Sequence, residues 1–192
     1  MRTAMILRYL AFALMTLFGA LGGLFAAGYA FDDPGGWAAI AIVVGWLVPV
    51  VALSMLAAWR PTLAGPVLMA VTALVILFSW SDTILRVIPK DSWGPVGSIS
   101  LLGLGVAIGF LGLNRARLAG WLLVIAGLAQ LLGIVLGSLG RGSDGRPLGA
   151  MLGGSSGVVV LPILIIGALF LIAGSLRHEP LFRATGVPKP AH

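Results

Sequence analysis

The hydrophobic positions of this 192-residue chain are gathered into six long apolar runs, and the polar positions form short breaks between them. Each run is about as long as the roughly 20 residues that an α-helix needs to cross the hydrocarbon core of a bilayer. The runs cover residues 5–31, 37–59, 62–80, 94–113, 118–139 and 157–176. The pattern predicts an all-α, polytopic membrane protein that folds as a bundle of six transmembrane helices.

The breaks contain residues that end helices. Asp, Pro and Gly follow the first run at positions 32–36, an Arg-Pro pair follows the second at 60–61, and Arg-His-Glu-Pro closes the sixth at 177–180. Proline lacks a backbone N–H donor and disfavours the helical conformation of the residue before it. We therefore expect a single transmembrane domain over residues 1–176 and a short cytoplasmic tail over residues 177–192.

The composition agrees with this fold class. Hydrophobic residues make up 59% of the chain and charged residues only 9%, and the mean hydropathy is +1.10. A soluble domain has about 25% charged residues, so this chain has too little polar surface to cover itself in water. The six runs use nearly all of the sequence, and we expect no separate soluble domain.

Ionisable and metal-binding residues are scarce inside the apolar runs. No Asp, Glu, Lys, Arg or His lies deep inside a run, and the chain has no Cys. Buried ionisable groups are the usual elements of proton relays, ion paths and catalytic sites in membranes. The two histidines, His178 and His192, both fall in the tail, away from any position that could hold a haem between helices. We expect no cofactor, no metal site and no enzymatic activity.

The basic residues predict the orientation, because cytoplasmic loops are enriched in Lys and Arg. With the N-terminus inside, the inner segments hold eight basic residues: Arg2, Arg8, Arg60, Arg115, Arg117, Arg177, Arg183 and Lys189. The outer segments hold four: Arg86, Lys90, Arg141 and Arg146. The distribution predicts a multi-pass protein of the plasma or inner membrane with both termini in the cytoplasm.

Tryptophans, which prefer the membrane interface, fall near the predicted ends of the runs. Trp37, Trp80 and Trp93 are expected at the outer interface, and Trp59 and Trp121 at the inner one. The net charge of +6 comes from basic residues scattered over the helix ends rather than from one dense patch. It therefore does not indicate nucleic acid as a partner.

The first run has an alternative interpretation as a cleaved signal peptide. Arg2 and Arg8 precede its apolar residues, and Gly-Tyr-Ala at positions 28–30 resembles a poor cleavage site. The apolar segment of a signal peptide is usually about 7–15 residues long. This run is clearly longer, which favours an uncleaved first helix.

A weak internal repeat relates two of the inner breaks. The segment RPTLAG at residues 60–65 resembles RARLAG at residues 115–120, and both precede an outward-going run. The chain can then be divided into three hairpins that run outward and back, each with an Asp-containing turn outside. Two interpretations stay open: a real duplication, and inner arginines that recur because of the positive-inside rule alone.

Pairs of glycines at four-residue spacing predict where helices pack. In lipid no hydrophobic force drives helices together, so their association depends on close backbone approach across small residues. The pairs are Gly19 with Gly23, Gly105 with Gly109, and Gly133 with Gly137. They predict packing faces, either within one bundle or against another membrane protein.

Gln130, in the fifth run, is the only carboxamide inside a predicted helix. In hydrocarbon its amide should face protein or a ligand, so two interpretations are open: an interhelical hydrogen bond, and a contact with a bound solute. Hydroxyl groups in the runs can bond to the backbone of their own helix. They belong to Ser54, Thr72, Ser79, Ser98 and Ser100.

Two outer segments hold other polar residues. In residues 81–90, Asp82 and Arg86 stand four positions apart, which predicts a short interfacial helix with a local ion pair; the alternative is a lid over an outward-facing cavity. In residues 140–156, a Gly- and Ser-rich stretch predicts a flexible loop with an ordinary helix cap; the alternative is re-entry into the membrane. The charged residues of this second segment are Arg141, Asp144 and Arg146.

Two functional classes follow from these observations. The charge-free runs and small-residue faces favour a non-catalytic accessory or scaffold subunit of a larger membrane complex. Its partners would be the lipid bilayer and other membrane subunits or a second copy of itself. The alternative is a small transport component that binds a neutral or apolar solute from the outer side. Transport driven by protons or sodium is disfavoured, because no buried acid is available to couple it.

Overall fold

A computed structural model describes residues 2–32, 36–85, 96–139 and 155–176 of the chain. Within these residues the backbone forms six α-helices: α1 Arg2–Asp32, α2 Gly36–Trp59, α3 Pro61–Leu85, α4 Val96–Asn114, α5 Ala116–Leu139 and α6 Ser155–Ser175. The all-helical prediction is confirmed.

Four of these helices, α1, α2, α3 and α5, contain segments that are long and apolar enough to cross a membrane. α4 and α6 contain shorter apolar segments within the described residues. The apolar helices indicate a protein embedded in a membrane. That all six helices cross it stays a prediction.

Two pairs of consecutive helices are joined by a single residue. Arg60 connects α2 to α3, and Arg115 connects α4 to α5. The N–H of each arginine donates to the carbonyl four residues earlier, at 2.8 and 2.7 Å, and its carbonyl accepts from the N–H four residues later, at 2.9 and 3.0 Å. The two corners are therefore built alike. Pro61 suits the first position of α3, where a helix needs no N–H donor.

The third helix is longer than its apolar run. α3 continues through Ser81 and Asp82 to Leu85, whereas the sequence predicted a separate interfacial helix over residues 81–90. That expectation is wrong for residues 81–85; residues 86–90 lie outside the described part of the chain. Polar residues end an apolar surface, but they do not interrupt backbone hydrogen bonding as a proline does.

The six helices are arranged as a ring of five around a central one. α4 contacts each of the other five helices. Around it, α1, α2, α3, α5 and α6 are neighbours in that order, and the contact between α6 and α1 closes the ring. Residues 101–112 of α4 are almost all buried. A helix that is apolar on every side suits such an enclosed position.

Pairs of contacts give the directions of the helices. Arg8, near the start of α1, reaches Leu113, near the end of α4, and Met15 further along α1 meets Gly105 of α4. These two helices are therefore antiparallel. Equivalent contacts place the starts of α1, α3 and α5 at the same end as the ends of α2, α4 and α6. This end, which we call the arginine end, holds Arg2, Arg8, Arg60, Arg115 and Arg117.

The interior between the helices is filled by apolar side chains. α1 contributes Ala4, Ala11 and Met15 to it, so the first helix is an integral part of the bundle. The largest fully buried side chains are Phe170, Met15, Leu68, Ile108, Leu111, Leu123, Ile163 and Val160.

Candidate functional site

Gln130 lies at the interface between α3 and α5. Ser79 Oγ of α3 donates a hydrogen bond to Gln130 Oε1, with 3.2 Å between the two oxygen atoms. The adjacent residues also form a hydrogen bond: Trp80 Nε1 of α3 donates to the carbonyl oxygen of Ala129 in α5 at 3.0 Å. A Cβ built at Gly133 would lie 3.6 Å from Trp80 Nε1, an ordinary contact distance, so this glycine packs against the indole ring. We call this set of residues the Gln130 contact.

The Gln130 contact can join two helices, but it does not supply acid–base chemistry. A carboxamide donates and accepts hydrogen bonds without changing its charge. Hydrogen bonds between membrane helices are worth about 0.6–2 kcal/mol, which is enough to favour one register of α3 against α5. The structure thus places Gln130 in an interhelical hydrogen bond, the first of its two interpretations. A solute contact at Gln130 stays a prediction.

Two tryptophans bond to backbone carbonyls inside the bundle. Trp80, whose place at the outer interface stays a prediction, is partly buried between α3 and α5. Trp46 of α2 donates through Nε1 to the carbonyl of Ile99 in α4, at 3.2 Å. Its ring packs against Gly23 of α1 and Gly103 of α4. Sequence reasoning missed Trp46, although its place well inside an apolar run, away from either interface, was a signal for an interior role.

The hydroxyl groups differ in their partners. Thr72 Oγ1 donates to the carbonyl of Leu68 in its own helix at 2.6 Å, as expected from its position. The buried oxygens Thr16 Oγ1 and Ser54 Oγ have no hydrogen-bond partner among the described residues. Leaving a buried hydroxyl unpaired costs about 1–3 kcal/mol. These two groups are therefore candidates for a bond to water or to a small solute.

Arg8 is buried, although it carries a charge. Its side chain is 6% exposed, and Nη1 donates to the carbonyl oxygen of Leu113 at 2.8 Å. The last carbonyls of a helix lack partners within that helix, and cations are favoured near them. Sequence reasoning assigned Arg8 to the inner segment as an orientation signal. Its spacing from the small residues Ala4 and Ala11, which places all three on one face of α1, was the sign that it turns toward the bundle.

Three of the predicted packing glycines lie between α1 and α4. A Cβ built at Gly19 would overlap the Val106 side chain, and one built at Gly105 would overlap Met15. At Gly109 the same construction gives 3.4 Å to Met15, an ordinary contact distance. The missing side chains at Gly19 and Gly105 therefore let these two helices approach closely.

The other three predicted glycines have different surroundings. Gly23 faces the Trp46 ring, with 3.0 Å from a built Cβ to the nearest ring carbon, and Gly133 faces Trp80. Gly137 lies in α5, but its surroundings are outside the described residues.

The closest backbone approach is between α5 and α6, where the sequence analysis named no glycine. A Cβ built at Gly120 would lie 2.9 Å from the carbonyl oxygen of Gly167 and 2.8 Å from the backbone nitrogen of Leu171. Gly127 and Gly174 make similarly tight contacts: a Cβ built at Gly127 would lie 2.8 Å from the Leu164 side chain, and one built at Gly174 would lie 2.8 Å from the backbone nitrogen of Arg117. We call these four glycines the α5–α6 seam. They repeat at seven residues on each helix, whereas the predicted packing pairs have a spacing of four.

The predicted outer-loop residues cannot be assembled into a site. Asp82 lies in the last turns of α3, and its side chain is outside the described residues. The remaining predicted outer contacts also fall outside them: Arg86, Arg141, Asp144 and Arg146. The candidate site is therefore the set of polar groups inside the bundle.

Comparison with known proteins does not assign a family. No protein-family model, no curated protein and no solved structure matches the chain.

Proposed function

We propose that the protein is a non-catalytic integral membrane subunit that packs as an accessory or scaffold component of a larger membrane complex. The enclosed central helix carries this proposal. Five helices surround α4, and side chains such as Ile108, Leu123 and Phe170 fill the space between them. A bundle of this kind offers its outer surface to other molecules rather than its interior.

The polar groups support the same role. Ser79, Trp80, Trp46 and Arg8 all donate hydrogen bonds to a different helix. These bonds join α3 to α5, α2 to α4 and α1 to α4. Their use in assembly leaves fewer polar groups for binding a solute.

The outer face of α2 is the surface that we assign to a partner. α2 is the least buried of the four long apolar helices. Small residues, Ala38, Ala41, Gly45 and Ala52, follow one exposed face of it, and no atom lies within 4 Å of a Cβ built at Gly45. Exposed small residues let a second helix backbone approach closely. The proposed occupant is a transmembrane helix of another subunit.

A bulky substitution on this face tests the proposal. Gly45→Leu is expected to remove the partner from the protein purified in mild detergent, because its side chain would keep the partner backbone away. Ala168→Leu is the matched control, since Ala168 is an exposed small residue on α6. Thermal unfolding of both variants should match the unsubstituted protein. Equal recovery of the partner with both variants would contradict the assignment of α2.

We further propose that all six helices cross the plasma or inner membrane, with both termini in the cytoplasm. All the arginines among the described residues lie at the arginine end. The acidic residues among them, Asp32 and Asp82, lie near the opposite ends of α1 and α3. This separation supports a cytoplasmic location for the arginine end.

An internal duplication into three helical hairpins is part of the proposal. Its support is local: the corners at Arg60 and Arg115 have the same backbone hydrogen bonds and the same single-residue length.

A small transport component is the second candidate, and the unpaired hydroxyls of Thr16 and Ser54 favour it. A neutral solute or water bound between helices would satisfy them. Uptake of neutral solutes into proteoliposomes distinguishes the two candidates. Uptake that is lost in Thr16→Val or Ser54→Ala would support transport, whereas the proposed subunit role predicts no uptake by the protein alone.

A further inference from the structure

We infer that the arginine end carries a binding site for the headgroup of an anionic phospholipid, formed by Arg60 and Arg115. Arg60 and Arg115 are the single residues that precede α3 and α5. These two helices are neighbours in the ring. The inference rests on the proposed placement of the helices in a membrane. It does not depend on a partner subunit, because the partner face of α2 is a different surface.

The Arg115 side chain contacts the helix that begins directly after Arg60. A Cβ built at Gly65 would lie 3.5 Å from Arg115 Nη1 and 3.2 Å from Leu118 Cδ2. The Arg115 guanidinium therefore lies against the first turns of α3. Gly65 is five residues after Arg60, which is about 7.5 Å along a helix axis. In the inferred site the exposed Arg60 side chain extends along α3 toward the Arg115 guanidinium, and one phosphate group contacts both.

The positive charges of Arg60 and Arg115 favour an anionic ligand. Arg60 is exposed and Arg115 is partly exposed, and neither has an ion-pair partner among the described residues. The acidic residues in that part of the chain, Asp32 and Asp82, belong to the opposite end of the bundle. Guanidinium groups bind phosphate oxygens in a bidentate manner. Basic pockets between membrane helices on the cytoplasmic side bind anionic lipid headgroups.

The residues around the corners match a lipid rather than a free phosphate ion. Trp59, at the end of α2, is 75% exposed, and Trp121 of α5 is also exposed. Tryptophan rings prefer the headgroup level of a bilayer. Leu63 and Val67 present exposed apolar surface on α3 directly beyond the corner. A phospholipid whose phosphate is bound by the arginines would thus have apolar protein surface beside its acyl chains.

Quenching of tryptophan fluorescence by brominated lipids tests this site. The full-length protein in mild detergent is titrated with brominated phosphatidylglycerol and, separately, with brominated phosphatidylcholine. We expect tighter binding of phosphatidylglycerol. The double variant Arg60→Gln with Arg115→Gln should weaken it about tenfold or more, because each basic residue contributes to the attraction. Binding of phosphatidylcholine should not change.

Three further variants give the controls. Arg2→Gln removes one charge at the same end, on a helix that does not border α3 or α5 in the ring, and should lower the affinity much less than the double Gln variant does. Arg60→Lys with Arg115→Lys keeps the charges but not the bidentate hydrogen bonds, and its affinity should fall between those of the unsubstituted protein and the double Gln variant. If the double Gln variant unfolds, Arg60→Gln alone carries the test, because Arg60 is exposed.

The inference is overturned if the double Gln variant keeps its preference for phosphatidylglycerol, or if Arg2→Gln lowers it equally. It is also overturned if inorganic phosphate competes with the lipid at equal concentration, since the site would then bind a free anion. A protein quenched by neither lipid would instead contradict the membrane placement itself.

Discussion

At the scale of single residues, the polar groups of the bundle show which hydrogen-bond partners can be predicted from a sequence. Thr72 bonds to the carbonyl four residues earlier, a partner that helix geometry fixes in advance. Ser79, in contrast, has a hydrogen bond to Gln130 of another helix. That partner depends on α3 and α5 being neighbours, which no local pattern specifies.

The burial of Arg8 was a second feature that the sequence did not predict at this scale. An arginine near the start of a membrane helix ordinarily reports orientation. In this bundle Arg8 also donates to the end of α4, because the ring brings the carbonyl of Leu113 within its reach. The sequence placed Arg8 near the start of the first helix but did not predict its burial.

The Gln130 contact leads to a prediction about stability. Ser79→Ala and Gln130→Ala should each lower the free energy of unfolding, because each removes one partner of the same hydrogen bond. In a double-mutant cycle the coupling between them should be about 0.6–2 kcal/mol. The measurement is reversible unfolding in mixed detergent micelles.

Thr72→Ala combined with Gln130→Ala is the matched control, since Thr72 bonds only within its own helix in the described contacts. The pair should be additive. Additivity of Ser79→Ala with Gln130→Ala would contradict the interhelical bond.

At the scale of helices, the glycines of α4 reflect its central position. Gly103 faces α2, Gly105 and Gly109 face α1, and Gly112 faces the Phe170 ring of α6. A helix enclosed on all sides needs small residues on several faces. The distribution of glycine around α4 was therefore a usable signal for the central helix, whereas hydropathy was not, because every run is apolar on all sides.

The α5–α6 seam leads to a prediction about packing. Gly120→Ala should destabilise the protein by about 1–3 kcal/mol, because the new Cβ would lie 2.9 Å from the carbonyl oxygen of Gly167. Gly28→Ala is the matched control, since nothing lies within 4 Å of a Cβ built there. It should be neutral or stabilising, because alanine favours the helix by about 0.5–1 kcal/mol.

Thermal unfolding of the two glycine variants in the same detergent provides the comparison. Equal stability of Gly120→Ala and Gly28→Ala would show that α5 and α6 do not approach as closely as described.

At the scale of the whole molecule, the sequence predicted the helical class and the approximate bounds of the helices, because apolar runs and their breaks are local properties. It did not predict the ring around α4. The order of neighbours depends on side-chain fit between distant segments, such as Met15 with Gly105 and Trp46 with Gly103. The outer-loop residues Arg86, Arg141, Asp144 and Arg146 stay as predictions.

Orientation is testable because the chain has no Cys. Single substitutions Thr3→Cys and Trp37→Cys place thiols at exposed positions near opposite ends of the bundle. A membrane-impermeant thiol reagent applied to intact cells should label Trp37→Cys only. After the cells are opened, both variants should react. Labelling of Thr3→Cys in intact cells would contradict the cytoplasmic N-terminus.

The mass of the protein in mild detergent tests the proposed subunit role most directly. Light scattering coupled to size-exclusion chromatography separates the mass of protein from that of bound detergent and lipid. The proposed role predicts a particle larger than the 19.8 kDa of one chain, with a discrete second protein in the same peak. A particle of 19.8 kDa with no accompanying protein would contradict it.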